Sequence, residues 1–207
     1  MGNILIEPVK DNKDKQQTYR QLMGRYNAAV KYKFYLEAMM IDYSMIEDRL
    51  TSILYHLGVL PNRKTLKISA AKTKNQIRKI VNDYLGKERN ISLTNITGKI
   101  TVLKAILNWV NETEYTSNDK YLEVLKKQCE SMDIGGTLDM LTDIEVWVKY
   151  RNEIMHAALN KNIESLYSDM YEKVEAGKAY GRFLDGQERI AKKGNKIRKA
   201  MNLVVEK

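Results

Sequence analysis

Apolar residues recur along much of this chain three and four positions apart, which predicts amphipathic helices. The longest such stretch runs from Thr18 to Leu57 with Gly24 as its expected break, so a bent helix or two stacked helices is predicted. Within it Leu36, Met40, Tyr43, Leu50, Leu54 and Leu57 make a stripe that Met39, Ile46 and Ile53 widen. A face that broad must be covered by other helices or by a second subunit. Glu47 stands in the stripe where an apolar residue is expected, and a carboxylate there is costly unless paired. It would lean outward to Arg49 or a lysine, or else orient Arg151 or His156 from a neighbouring helix. His56 falls on the last turn before Gly58, where it would complement the carboxyl end of the helix.

Residues Met1 to Gln17, with Pro8 and a charged run, read as a flexible lead-in, and Gly58 to Arg63, with Pro61, as a turn. From Arg63 to Asn82 only a weak apolar edge remains (Leu66, Ala70, Ile77, Ile80, Val81), predicting a helix that lies on the bundle with its polar side out. A loop over Lys87–Thr97 precedes a helix over Gly98–Asn111. A further helix around Tyr121, Leu122, Leu125 and Cys129 is expected to end at Gly135-Gly136. Thr137 then caps a helix marked by Leu138, Leu141, Ile144, Trp147 and Val148. Ala157 to Tyr180 suits one more helix through Leu159, Ile163, Leu166, Met170 and Val174, after which Gly177, Gly181 and Gly186 weaken regularity. The predicted organisation is a lead-in over 1–17, an all-α bundle over 18–180 and a basic C-terminal helix or tail over 181–207.

Charge adds a partner to this picture. The chain of 207 residues carries a net charge of +9, and seven bases without an acid fall between Arg63 and Asn82: Arg63, Lys64, Lys67, Lys72, Lys74, Arg78 and Lys79. The tail adds Arg189, Lys192, Lys193, Lys196, Arg198 and Lys199. Single-signed surfaces of this kind point to a phosphate-bearing partner, and these thirteen residues are the expected RNA contacts. With one cysteine, Cys129, no disulfide forms within the chain, and the residue reads as a packing group. Neither a membrane-spanning run nor a secretion signal is apparent, so a cytoplasmic protein is expected. No metal-ligand signature, phosphate loop or serine-nucleophile motif is present, and no cofactor is expected.

The candidate chemistry lies in Tyr150-Arg151-Asn152-Glu153-Ile154-Met155-His156. An imidazole moves protons near neutral pH, a guanidinium grips phosphate oxygens in a planar fork, and a carboxamide orients either. On a continuous helix residues five apart diverge by about 140°, so Arg151 and His156 do not share a face, whereas Asn152 and His156 do. Either the helix breaks near Arg151, or Arg151 works with the motif of a second subunit.

At Arg151, Asn152 and His156 the chain resembles the HEPN superfamily, whose motif is an arginine, usually a polar residue after it, and a histidine a few residues on, carried by a helical bundle. The Arg-Asn-three-residues-His spacing is the form found in RNA-guided effector nucleases. The resemblance implies a metal-independent endoribonuclease, active as a homodimer in which two motifs face each other, with a toxin or phage-defence role. It equally covers members without catalysis. Two other readings therefore stay open: a helical protein that only binds nucleic acid, and an inactive module paired with an antitoxin or other regulatory protein.

Overall fold

A computed structural model describes residues 12–68, 74–88, 90, 92–113, 119–157, 169–193 and 195–205. Among them all regular structure is helical: α1 (Asn12–Lys31), α2 (Tyr35–His56), α3 (Lys74–Leu85), α4 (Ile96–Glu112), α5 (Lys120–Cys129), α6 (Ile134–Ala157), α7 (Met170–Lys192) and the short α8 (Lys196–Ala200). No helix among the described residues is long and apolar enough to cross a membrane.

The apolar stripe of α2 is the axis of the bundle. Leu50, Ile53, Leu54 and Leu57 are wholly buried, as are Ile46 and Met39 in effect, and each aliphatic side chain so covered contributes roughly 1.5–3 kcal/mol. The cover comes from the chain itself, since α7 makes the most extensive contact with α2 and α1 and α4 flank it. The stripe is thus spent inside one subunit, and only its first turns, with Met40 exposed and Leu36 and Tyr43 half-buried, remain for a second. The two long helices run parallel in register: Tyr35 meets Tyr171 at 6.0 Å between ring centres, Arg49 bonds Asp185 (2.8 Å) and Glu188 (2.7 Å), and Ser52 donates to Glu188 (2.7 Å). Gly177 permits the approach. A β-carbon there would stand 2.8 Å from the Trp147 ring and 2.9 Å from an Asp42 carboxylate oxygen, so α2, α6 and α7 close over a residue without a side chain.

Several sequence expectations are corrected. The break in the first long helix falls at Tyr32–Phe34, where Lys33 takes a left-handed conformation (φ 61°) and the Phe34 N–H closes back on the Ala29 carbonyl (2.7 Å). Gly24 sits exposed inside α1, with nothing near its α-carbon to bend the helix. Helix α1 begins at Asn12, inside the expected lead-in, and is tied down by Lys15 (2.8 Å) and Tyr19 (2.6 Å), both donating to Asp48; residues 1–11 lie outside the described residues. Residues 61–68 are not helical, and α3 starts only at Lys74. Gly135 and Gly136 do not terminate a helix but open α6, because the Asp133 carboxylate accepts from the Gly136 N–H (3.0 Å) and a β-carbon at 136 would collide with it. No boundary exists at 180: α7 runs unbroken from Met170 to Lys192 with Leu184, Gln187, Glu188 and Ala191 buried. Of the preceding helix positions, Leu159, Ile163 and Leu166 lie outside the described residues.

Arg198 departs furthest from expectation. Its side chain is fully buried, stacked 3.8 Å above the Tyr55 ring, and donates to the carbonyls of Tyr55 (3.0 Å), Leu60 (3.0 Å), Pro61 (2.8 Å) and Val204 (2.6 and 2.8 Å). It is a staple joining α8 to the end of α2 and has no face left for RNA.

Candidate functional site

Helix α6 continues through the motif to Ala157, so Arg151 and His156 leave the same cylinder in different directions. Arg151 is half-buried. Its guanidinium carbon lies 4.6 Å from the centre of the Tyr43 ring, and Nη1 donates to Asn152 Oδ1 (3.0 Å). Its Nε–H is buried without a hydrogen-bond partner among the described residues, leaving a donor edge unspent on a charged group already held in orientation. The Tyr43 hydroxyl titrates above its ordinary range, because burial and then the Glu47 carboxylate disfavour phenolate more than Arg151 favours it. His156 is exposed on the last turn of α6, and among the described residues no side chain bonds it.

The structure thus brings Arg151 and Asn152 together and directs His156 elsewhere. Glu47 does not orient either motif residue. It accepts from Lys99 of α4 (2.7 Å), whose side chain is only 2 % exposed, so the carboxylate turns inward to a buried lysine rather than outward to Arg49. A second inward pair, Lys104 with Glu145 (2.7 Å), ties α4 to α6. Tyr43 is the site residue that sequence reasoning missed. It stood in the stripe as one more apolar position, and its only distinguishing signal was a phenol one helical turn before the carboxylate.

The other histidine is buried at the far end of α2. His56 Nδ1 faces Asn195 Oδ1 at 3.1 Å, Nε2 has no partner among the described residues, and burial pushes its pKa down to about 4, so it is neutral at pH 7 and adds no positive charge at the helix end. Cys129 is likewise wholly buried, its thiol pushed up to about 12 by burial, which makes it a packing group. No group of three His, Cys, Asp or Glu among the described residues is placed to hold a metal.

The expected RNA-contacting cations fall into two sets. Arg63 stacks on Tyr55 (5.3 Å) and, with Lys192, raises the potential around His56. Near this end of α2, Lys64, Lys192, Lys193, Lys196 and Lys199 are exposed, as is Arg189, which pairs with Asp185 (2.7 Å). The second set, Lys67, Arg78 and Lys79, is exposed around α3. Lys72 lies outside the described residues, and of Lys74 only its place in α3 is described. His56 lies thirteen residues beyond Tyr43 on α2, so the first set sits about 20 Å along the bundle from Arg151.

Compared with known protein families, curated proteins and solved structures, the chain matches none.

Proposed function

We propose that this protein is a metal-independent endoribonuclease that acts as a homodimer, with Arg151, Asn152 and His156 of each subunit contributing to one composite site. The observation that carries the reading is the divergence of the motif on an unbroken helix: Arg151 is held by Tyr43 and Asn152 with donors unspent, while His156 projects exposed at the helix end. A phosphate gripped by one subunit's arginine is then served by the partner's imidazole.

RNA supplies its own nucleophile. The partner's imidazole takes the proton from the 2′-hydroxyl as that oxygen bonds to phosphorus, and the bond to the 5′-oxygen breaks as that oxygen takes a proton from water. Arg151 stabilises the charge on the non-bridging oxygens. The products are a 2′,3′-cyclic phosphate and a 5′-hydroxyl. An activity with no cofactor to withhold needs restraint by other means, which suits a toxin or phage-defence role in the cytoplasm beside a regulatory partner protein.

The test is incubation of mixed RNA with wild-type protein and with His156→Ala in excess chelator, followed by analysis of product ends. Cleavage to cyclic phosphate by wild type alone is expected. Undiminished cutting by His156→Ala, or cutting at a 2′-deoxy position, rejects the mechanism. A specific observation favours a second reading, a non-catalytic nucleic-acid binder: part of the exposed positive charge gathers far from Arg151. Under that reading RNA binding persists in Arg151→Ala/His156→Ala and no turnover occurs in any preparation.

A further inference from the structure

Beside α3 lies a cleft of about 340 Å³, within the range of small-ligand sites. It is formed where the non-helical segment 66–68, Asn90 and the stretch 92–94 converge on α3. Its chemistry is sorted by position in the fold. Leu66, Ile68, Val81 and Leu93 give an apolar floor, with Val81 and Leu93 almost wholly buried. Asn82, Asn90, Ser92 and Thr94 supply amide and hydroxyl groups, and Lys67 and Arg78 supply two positive charges with no acid in the lining. Among the described residues neither Lys67 nor Arg78 forms an ion pair.

From this arrangement we infer that the cleft is a binding site for a nucleoside monophosphate unit, with the base on the apolar floor, its edge against the amide and hydroxyl groups, and the phosphate between Lys67 and Arg78. A planar heteroaromatic ring covers apolar side chains and presents donors and acceptors at its edge, while its phosphate requires positive charge at one rim. The unit is one residue of single-stranded RNA. Arg78 and Asn82 also line a shallow furrow along α3, where Lys79 and Lys87 alternate with the carboxylates of Asp83 and Glu88. The cleft adjoins the start of α4 along the chain. Its Ser92–Thr94 wall leads into α4, whose first turns carry Lys99 to Glu47, one turn along α2 from Tyr43. The choice of RNA over a free nucleotide rests on the proposed nuclease reading; the nucleotide chemistry of the cleft does not.

The test measures binding, not cleavage, in the His156→Ala background, so loss of the nuclease reading leaves it intact. A short labelled single-stranded RNA is titrated against the parent, Lys67→Ala/Arg78→Ala and Asn90→Trp, with circular dichroism confirming the fold. The double variant is expected to bind about tenfold more weakly, with a salt dependence shallower by about 0.7, the contribution of the one single-strand phosphate held between the two side chains. Asn90→Trp, an exposed position at the cleft mouth, is expected to lose about tenfold at unchanged salt dependence because it fills the space for the base. A parallel arm titrates AMP, CMP, GMP and UMP while following the amide signals of Ser92, Leu93 and Thr94. Shifts with a free nucleotide, together with RNA binding indifferent to both variants, retain the cleft and assign a free nucleotide as its ligand. Weakening by the charge variant alone reduces the site to surface attraction and overturns the inference, as does binding unchanged in both variants with no amide shifts.

Discussion

The guanidinium of Arg151 rests 4.6 Å from the centre of the Tyr43 ring, so the motif arginine is oriented by a side chain more than a hundred residues earlier in the chain. Stacking of this kind is worth roughly 0.5–2 kcal/mol and fixes the plane in which the remaining N–H groups point. A ring without the hydroxyl keeps the stack, whereas a methyl group does not. Tyr43→Phe is therefore expected to cleave RNA within about twofold of wild type, and Tyr43→Ala to lose about tenfold in kcat/KM with its urea midpoint little changed. Equal loss in both variants would assign the hydroxyl, not the stack, the important part.

Glu47 and Lys99 form a pair whose lysine is sealed from water, so removal of the carboxylate strands a buried charge. The cost for Glu47→Gln is about 3 kcal/mol, at the lower end for such pairs because Glu47 itself retains 29 % exposure. Lys99→Met in the same chain removes the stranded charge and is expected to recover most of that loss. Chemical denaturation of the two single variants and the double variant measures it. A fully stable Glu47→Gln with depressed RNA cleavage would return Glu47 to the site.

Two buried groups give stability opposite dependences on pH. Asp42 has its pKa pushed up to about 8, first by burial and then by Glu175, against the lowering pull of Lys178; one carboxylate oxygen has no partner among the described residues. Between pH 3.8 and 8 the folded chain keeps a proton that the unfolded chain has lost, so this contribution is full below pH 3.8 and disappears as pH rises through about 8. His56 runs the other way. Folded, it stays neutral down to about pH 4, while the unfolded chain takes up a proton near 6.5, so its contribution is full above 6.5 and falls as pH drops toward 4. Urea midpoints across pH 4 to 9 are expected to show the wild type declining above pH 6.5 and Asp42→Asn holding level there, with a gain on the order of a few kcal/mol at pH 8. Between pH 4 and 6.5 the two slopes oppose each other, so in His56→Asn, whose amide can replace Nδ1, the decline is expected to begin already near pH 4.

Arg198 and Lys192 looked alike in the sequence and differ in kind. Replacement of Arg198 by Lys leaves the buried carbonyls of Tyr55 and Leu60 without the planar fork that serves them, at about 3 kcal/mol or more. RNA affinity and its salt dependence are expected to be unchanged in whatever fraction remains folded. Lys192→Ala/Lys193→Ala should do the reverse, lowering RNA affinity without moving the denaturation midpoint, since both side chains are exposed.

What was legible in the sequence was what local periodicity governs. The α2 stripe, the α4 helix and the amphipathic run of α6 all follow from apolar spacing, and the helical architecture with them. Gly24 misled because an exposed glycine costs a helix only about 1 kcal/mol, while the turn at Lys33 uses a left-handed residue that composition does not announce. Gly135 and Gly136 misled because their role depends on the Asp133 carboxylate beside them. Arg198, Lys99 and Asp42 were illegible for a different reason: burial of each is decided by groups far away in sequence, which spacing does not report. In the candidate site the motif itself could be read, whereas its support by Tyr43 could not.

The composite site makes a demand that a site within one subunit does not. If Arg151 of one subunit serves the phosphate that the partner's imidazole attacks through, a dimer of one Arg151→Ala chain and one His156→Ala chain still holds an intact arginine opposite an intact histidine. Each variant alone forms homodimers lacking one of the two groups everywhere. Mixing the inactive variants under conditions that allow subunit exchange is therefore expected to restore cleavage to 2′,3′-cyclic phosphate ends, and a covalent cross-link applied before mixing should prevent the recovery. The N-terminal turns of α2, where Met40 is exposed beside half-buried Leu36 and Tyr43, offer apolar surface next to Arg151 for the contact. Met40→Glu should then hold the protein monomeric by light scattering and abolish cleavage while leaving the fold unaltered. Mixing that restores nothing, from variants that each still dimerise, would show that arginine and histidine must come from the same chain.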